Sequence, residues 1–366
     1  MVLFLHNRYR VPGGEERAVD EWRWLVREHL GEEVELLERD SALLGRARAA
    51  TALLAGGLRG DDVAHAVRRT GARVVHAHNL GPTFGWRALA AAKGAGARVI
   101  VHLHQYRLVC AVGVCFTAGR ECTRCHGRNT LPGVLRNCRG SLPEALVYGG
   151  SLALWQHRLS GLSDAAVAPS EFARERLAAL GVPLPRTHVL AHPVRSFAER
   201  SRASEGSGAL LACRLEPEKG IGVAIEACRR AGIALVVAGE GSERARFEGS
   251  AGVTFVGHVD ETALARLRES AQIALMPSLT SETFGLAAAH AMAAGLPVAA
   301  SAIGALPELV PGEWLAPAGD AGALAERIAA IAADRTAGER ALAHAHSVLD
   351  PARIGAALAS IYEATP

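Results

Sequence analysis

Residues 281–301 read SETFGLAAAHAMAAGLPVAAS. One acid, Glu282, stands at the head of a run of alanines that His290 interrupts, and Gly-Leu-Pro-Val closes it. The apolar run IALMPS (273–278) leads in through LTSE, and PVAAS (297–301) leads out. Short apolar runs on either side of a helical stretch predict a buried strand, a helix and a second parallel strand. A helix start is predicted at TFGL, where the amides of Phe284, Gly285 and Leu286 lack intrahelical partners. Gly285 allows a ligand close to the backbone, and Glu282 sits just ahead of it.

The same alternation extends outward. GALLACRL (208–215), ALVVAGEG (234–241) and VTFVGHV (253–259) read as strands, and KGIGVAIEACRRAG (219–232) and DETALARLRESA (260–271) as helices. The first half repeats the scheme, with strands in MVLFLH (1–6), RVVHAHN (73–79), RVIVHLH (98–104) and DAAVAPS (164–170). Its clearest helix is GEERAVDEWRWLVREHL (14–30). Strand–helix alternation in two blocks predicts two doubly wound α/β domains, with ligands beyond the carboxyl ends of the strands and in the cleft between domains. The polar stretch Ser196–Gly208 reads as the linker. The expected domains are 1–195, with a cysteine-rich insert at about 105–140, and 205–345, followed by a C-terminal helix in 346–366 that packs back toward the first domain.

The 366 residues are 49% hydrophobic, enough for two cores. No apolar stretch reaches the length of a membrane span, and the N-terminus has no basic region ahead of its apolar run, so the expected compartment is the cytoplasm. Residues 1–195 carry 26 Lys+Arg against 17 Asp+Glu, or +9; the remaining 14 and 20 give −6, and the sum is the formal charge of +3. The basic first half suits an anionic acceptor or peripheral contact with a membrane surface. No nucleic-acid partner is expected.

Arg214 and Lys219 follow a predicted strand, and Gly220 opens the next helix; two cations beside a helix N-terminus suit a diphosphate. In the first half, His76 and His78, and His102 and His104, end two strands, and alternation puts His102 and His104 on one side. Five of the seven cysteines fall between Cys110 and Cys138. The Cys122-x2-Cys125 knuckle with Cys110 and Cys138 outside it fits a tetrahedral structural zinc, with Cys115 spare and His126 a competitor. A disulfide pair is the alternative, which a reducing compartment disfavours. Cys213 and Cys228 read as buried and inert.

CRLEPEKG (213–220), VAGEGSE (237–243), VTFVGHV (253–259), PSLTSETFGLAAAHAMAAGLPVAAS (277–301) and GALPELV (304–310) stand in the order found in family 4 retaining glycosyltransferases. HNRYRVPGGEERAVDE (6–21) resembles a branch of that family, and similar branches carry a cysteine-rich insert. The resemblance spans nearly the whole chain. It implies the GT-B fold, two Rossmann-like domains facing across a cleft, and transfer of a sugar from a UDP- or GDP-linked donor with retention of configuration. The acceptor would be a small molecule or a lipid-linked one. Arg214 and Lys219 would hold the diphosphate, and Glu282 would lie near the donor sugar hydroxyls. Thr283, Phe284, Gly285 and Leu286 would cap the phosphates and sugar, while Gly13 and Gly14 would approach the diphosphate from the first domain. Gly257 and His258 would meet the base. His104 would line the cleft near sugar and acceptor, with Tyr106 and Arg107 shaping the acceptor pocket.

The chain departs from the family's Glu-x7-Glu pattern: His290 replaces the second acid. A neutral imidazole still offers one donor and one acceptor to a ribose hydroxyl, without the fixed charge. No catalytic metal is expected, because Arg214, Lys219 and the helix-start amides can neutralise a leaving diphosphate. No nucleophile stands out, and the resemblance implies a front-face substitution. Two rival classes are a nucleotide-binding regulatory protein with the same fold, and a phosphorylase or epimerase; product analysis across donors separates them.

Overall fold

The computed structural model describes residues 1–9, 13–182, 184 and 186–364. The chain divides into two compact units. The first comprises Met1–Thr117, Cys122–Pro193 and Pro351–Pro366, and the second Ala118–Glu121 and Val194–Asp350.

In the first unit, β1 (Val2–Arg8), β2 (Val34–Asp40), β3 (Val74–Ala77) and β4 (Arg98–His102) are followed by the short strand β5 (Phe116–Thr117); the next short strand, β6 (Arg120–Glu121), is counted with the second unit. β7 (Ala165–Ala168) and β8 (Thr187–Val189) complete the set. Among the described residues the main sheet runs β2-β1-β3-β4-β7-β8, with every pairing parallel. Its helices are α1 (Gly14–Leu30), α2 (Arg46–Ala55), α3 (Asp61–Thr70), α4 (Gly85–Gly94), α5 (Leu131–Leu135), α6 (Leu142–Leu162) and α7 (Glu171–Ala179). Alternation along β1 sends Leu3 and Leu5 to one face and Val2 and Phe4 to the other. Both faces are covered, which explains the apolar runs Val2–Leu5 in β1, Val74–Val75 in β3 and all of β7. The charged strand β2 and the short strand β8 lie at the sheet edges. The sequence reading passed over both, because an edge strand need not be apolar.

The second unit contains β9 (Ala209–Ala212), β10 (Leu235–Ala238), β11 (Val253–Gly257), β12 (Ile273–Met276), β13 (Val298–Ser301) and β14 (Leu315–Ala316). They form a second parallel sheet in the order β11-β10-β9-β12-β13-β14. Its helices are α8 (Ile221–Ala231), α9 (Arg244–Phe247), α10 (Glu261–Ser270), α11 (Leu286–Ala293), α12 (Leu306–Leu309), α13 (Ala321–Ala333) and α14 (Ala337–Val348). α11 begins at Leu286, three residues later than TFGL suggested. Ala288 to Ala293, His290 included, are all buried there. The alanines allow close approach to α14, β12 and β13, and this accounts for a helix that is apolar on every side.

The stretch 196–208 is part of the second unit rather than a free tether. The amide of Ala198 donates to Ala293 O at 2.8 Å, and Ser201 Oγ donates to Gly295 O at 2.6 Å. The chain leaves the first unit at Pro193 and returns at Pro351. The last helix, α15 (Pro351–Glu363), packs on α1 and places Ile354, Leu358, Ile361 and Tyr362 in the core with Phe4, Trp22 and Ile100. No helix among the described residues is long and apolar enough to cross a membrane.

Candidate functional site

The second unit gathers its chemistry beyond the ends of β9 and β12. Arg214 follows β9, and a single 3-10 turn, Pro217–Lys219, sets Lys219 next to the loop after β12. There Lys219 Nζ lies 2.7 Å from Glu282 Oε1, and Ser278 Oγ donates to the same oxygen at 2.7 Å. The Lys219 and Glu282 side chains are only 18% and 15% exposed. Burial alone would raise the Glu282 carboxyl, but the Lys219 ammonium, the Ser278 hydroxyl and nearby Arg214 hold it below the usual carboxylate value. Burial likewise works against the Lys219 ammonium, and Glu282 outweighs it, raising Lys219 above its ordinary value. Both groups are therefore ionised at neutral pH. Arg214 is half exposed, with an Nη 3.3 Å from Glu218 Oε1.

Two glycines fix the loop that carries Glu282. Gly285, with φ +110°, caps α11; a Cβ on it would come within 2.7 Å of Leu306 Cδ2. Gly304, with φ +63°, lies so close that a Cβ would stand 2.4 Å from the Glu282 nitrogen. The next amide, of Ala305, donates to Glu282 O at 2.9 Å. The GALPELV segment thus braces Glu282 from behind. The amides of the first helical turn, starting at Leu286, face out of the N-terminus of α11. Thr283 is half-buried, whereas Phe284 packs into the core. His290 lies one turn into α11 and is buried. Gly257 ends β11, its carbonyl accepting from the Gly239 amide at 2.7 Å, and His258 beyond it is exposed. Burial pushes the thiols of Cys213 and Cys228 up to about 12, so neither is reactive.

The first unit assembles histidines from separate strand ends. His78 Nδ1 lies 2.8 Å from His104 Nε2, His76 Nδ1 lies 2.7 Å from the Tyr362 hydroxyl, and Trp22 Nε1 donates to His192 Nδ1 at 2.9 Å. The His102 and His104 rings are 4.5 Å apart, on one side of the strand as alternation requires. Burial drives His76 and His192 down to about 3 and holds His78, His102 and His104 well below 6.5, so all five are neutral. At the start of α1, Glu16 accepts from the amides of Gly13 at 2.7 Å and Tyr9 at 3.0 Å. The Gly13 amide is therefore already taken by a carboxylate; Gly14, the first helical residue, is exposed.

His78, His102 and His104 also line a cavity of about 670 Å³ within the first unit. Glu15, which the sequence reading missed, lines it too and accepts from Tyr9 Oη at 2.8 Å and Gln105 Nε2 at 2.9 Å. Burial raises its carboxyl above the usual range. Arg107 lines this cavity, while Tyr106 turns into the core.

Cys110, Cys115, Cys122, Cys125 and Cys138 surround a small cavity of about 20 Å³. The Cys110 and Cys115 thiols hydrogen-bond each other, which lowers Cys110 to about 6. Among the described residues no three of these thiols come within 4.8 Å of one another, so the expected four-thiolate set is not drawn together here.

Nothing in the local sequence of AHPV marks His192, and Ser278 and Gly304 reveal themselves only through contact with Glu282. Spacing along one strand, by contrast, was enough to pair His102 with His104.

Residues 2–193 match the family described as the glycosyl transferase 4-like domain, and residues 207–334 match glycosyl transferases group 1. The chain is 31% identical over 192 residues to the amylovoran biosynthesis glycosyltransferase AmsK of Erwinia amylovora, a match covering 46% of this chain and 47% of that protein. The chain thus spans about half the length of this curated relative. Among solved structures it resembles sucrose-phosphate synthase from Thermosynechococcus elongatus, with a TM-score of 0.69, 18% identity, and 99% and 98% of the two chains covered. It also resembles HepE of Anabaena in complex with UDP-glucose, with a TM-score of 0.63, 18% identity and 98% of each chain covered. The two parallel-sheet units and these likenesses establish the GT-B fold.

Proposed function

The chain belongs to the family of glycosyl transferases group 1, with a glycosyl transferase 4-like first domain, and from that premise we propose that it transfers a sugar from a nucleotide-diphosphate donor to an acceptor in glycoconjugate or natural-product biosynthesis, retaining the anomeric configuration. The observation that carries this reading is the buried Lys219–Glu282 pair beside Ser278 at the mouth of α11. Lys219 and Arg214 supply the positive charge for a diphosphate, and the first-turn amides of α11 add donors. The arriving diphosphate competes with Glu282 for the Lys219 ammonium and frees the carboxylate for the sugar hydroxyls. Gly257 and His258 meet the base, and His290 a ribose hydroxyl. His104, held by His78, serves the reacting sugar and acceptor in the first unit. Gly14 rather than Gly13 keeps a free approach to the diphosphate, since Glu16 occupies the Gly13 amide. The leaving diphosphate takes the acceptor proton, so the step calls for no nucleophile from the chain.

A screen of UDP- and GDP-sugars with detection of released nucleoside diphosphate and product analysis tests the reading. Release that depends on Glu282 and yields a glycoside supports it. Tight nucleotide binding with no turnover under any donor points to the regulatory class, and transfer to phosphate or isomerisation to the phosphorylase or epimerase class.

Structural zinc is proposed for the cysteine cluster. Elemental analysis should give about one zinc per chain, lost in Cys122→Ser or Cys125→Ser; zinc-free protein with a mapped disulfide contradicts it. The basic first domain, which exposes Leu43, Leu142 and Leu146, suits peripheral contact with an anionic membrane from the cytoplasmic side. Sedimentation with phosphatidylglycerol vesicles tests this.

A further inference from the structure

The cavity of the first unit has two chemically distinct linings. One comes from the loop after β1, the start of α1 and the ends of β3 and β4, and includes Tyr9, Glu15, His78, His104 and Gln105. The other comes from α2, α4 and α6, and includes Leu53, Trp86, Val147, Leu152, Trp155 and Leu159. Three polar side chains that α6 brings to the cavity, Gln156, Ser151 and Glu144, are engaged with the protein itself. Gln156 Nε2 donates to Leu108 O at 2.8 Å and to Gly127 O at 3.2 Å, and Ser151 Oγ donates to Tyr148 O at 2.9 Å. Glu144 pairs with Arg139 at 3.3 Å, and that guanidinium also lies 4.2 Å over the Tyr148 ring. Even the Trp155 indole N–H is spent, on Leu54 O at 3.0 Å. The Trp86 and Trp155 rings stand 5.7 Å apart and present aromatic surface.

A saccharide needs a hydrogen-bonding partner for nearly every hydroxyl, because each one stripped of water without a replacement is costly. The α2–α4–α6 lining offers few such partners and a large apolar area, and apolar contact is favourable in proportion to the area removed from water. A volume of about 670 Å³ falls within the range of pockets that enclose drug-sized molecules. We infer that the acceptor is a lipophilic alcohol or phenol of drug size, its apolar skeleton on α2, α4 and α6 and its reactive hydroxyl turned to Glu15 and His104. This deepens the transferase reading and rests on it. In the transfer, the acceptor oxygen bonds to the anomeric carbon as the bond from that carbon to the phosphate oxygen breaks. The hydroxyl proton leaves with the diphosphate.

The test uses the full-length protein, with 2-naphthol and methyl glucoside as probes in isothermal titration calorimetry. 2-Naphthol is expected to bind saturably at one site per chain, and methyl glucoside is expected to give no saturable heat. Leu152→Gln and Trp155→Ala should each weaken 2-naphthol binding about tenfold. Nucleoside diphosphate affinity, which belongs to the second unit, should stay unchanged and serves as the check on folding. Absence of 2-naphthol binding to the folded wild type, binding unaffected in both variants, or saturable binding of the glucoside alone would each overturn the inference. Apolar-probe binding together with no donor turnover would defeat the transferase reading while leaving an apolar ligand site; the reverse result would leave a transferase with a different acceptor.

Discussion

Lys219 and Glu282 hold each other ionised in a place where burial disfavours both charges, and the pH dependence of the pair follows. The lowered pKa of Glu282 contributes stability that is complete above the ordinary carboxylate value and lost as pH falls through the lowered one. The raised pKa of Lys219 contributes stability that is complete below the ordinary lysine value and lost as pH rises through the raised one. The pair therefore stays intact across the neutral range. Lys219→Ala removes the counter-charge and leaves burial to dominate, so the acid limb of the kcat profile should move to higher pH; a pH–rate series on the variant checks this. Glu282→Gln should lower turnover about 10²-fold if the lost transition-state stabilisation is near ~2.7 kcal/mol. His290 should behave differently, because a ribose contact is alike in ground and transition states. His290→Ala should raise the donor KM with little change in kcat, and His290→Glu should keep activity. Abolished kcat with donor binding intact would place His290 in the chemistry instead. Glu282 stood out in the sequence as the lone acid at a helix mouth. Its partner Ser278 did not, since one serine at a strand end has no distinguishing pattern.

The elements around these residues explain which substitutions they tolerate. α11 is short and buried, and its approach to α12 leaves no room for a side chain at Gly285. Gly304→Ala would combine a left-handed backbone with a Cβ driven into the backbone of Glu282. It should cost more than about 1 kcal/mol and weaken nucleotide binding as the Glu282 loop shifts, which a thermal melt and a titration would show. In the first unit, His76 in β3 and His192 beyond β8 are neutral buried histidines whose folded pKa values lie below the unfolded one, so their contribution is complete above about pH 6.5. It declines as pH falls from there toward about 3, because the unfolded chain binds protons that His76 and His192 refuse. These two histidines alone give a slope of about 3 kcal/mol per pH unit within that window. Urea melts at pH 7.5 and pH 5 should show a marked loss of stability at the lower pH; equal midpoints would contradict the burial. The central strands were readable because burial on both faces writes itself as apolar runs. The edge strands β2, β8 and β14 were not: β2 carries charged residues that solvent on one side permits, and β8 and β14 are only three and two residues long. The start of α11 was placed early, since Thr-Phe-Gly satisfies a local capping pattern while the left-handed Gly285 sets the actual boundary.

At the scale of the whole chain, the last helix belongs to the unit that the first strand begins. α15 lends Ile354, Leu358, Ile361 and Tyr362 to the core built on β1, and Tyr362 reaches the histidine array at His76. Ending the chain at Asp350 should destabilise the first unit by several kcal/mol, at about 1.5–3 kcal/mol per buried apolar side chain. Nucleotide binding by the second unit should survive, and separate melting transitions would report the difference. The two α/β blocks could be read from the alternation of strand and helix signals. The join could not: Ser196–Gly208 is polar enough to suggest a tether, yet Ser201 bonds the backbone of the second unit. The histidine array and the two-sided cavity were equally hidden, because they bring together positions that only the folded sheet makes neighbours. The measurement closest to the central claim is calorimetric titration of UDP and of GDP into wild-type protein and Lys219→Ala. The account predicts that at least one of them binds the wild type at one site per chain, and that the variant, equally folded by its thermal melt, binds it about tenfold or more weakly. Equal affinity in the two proteins, or no nucleotide binding by the wild type, would contradict it.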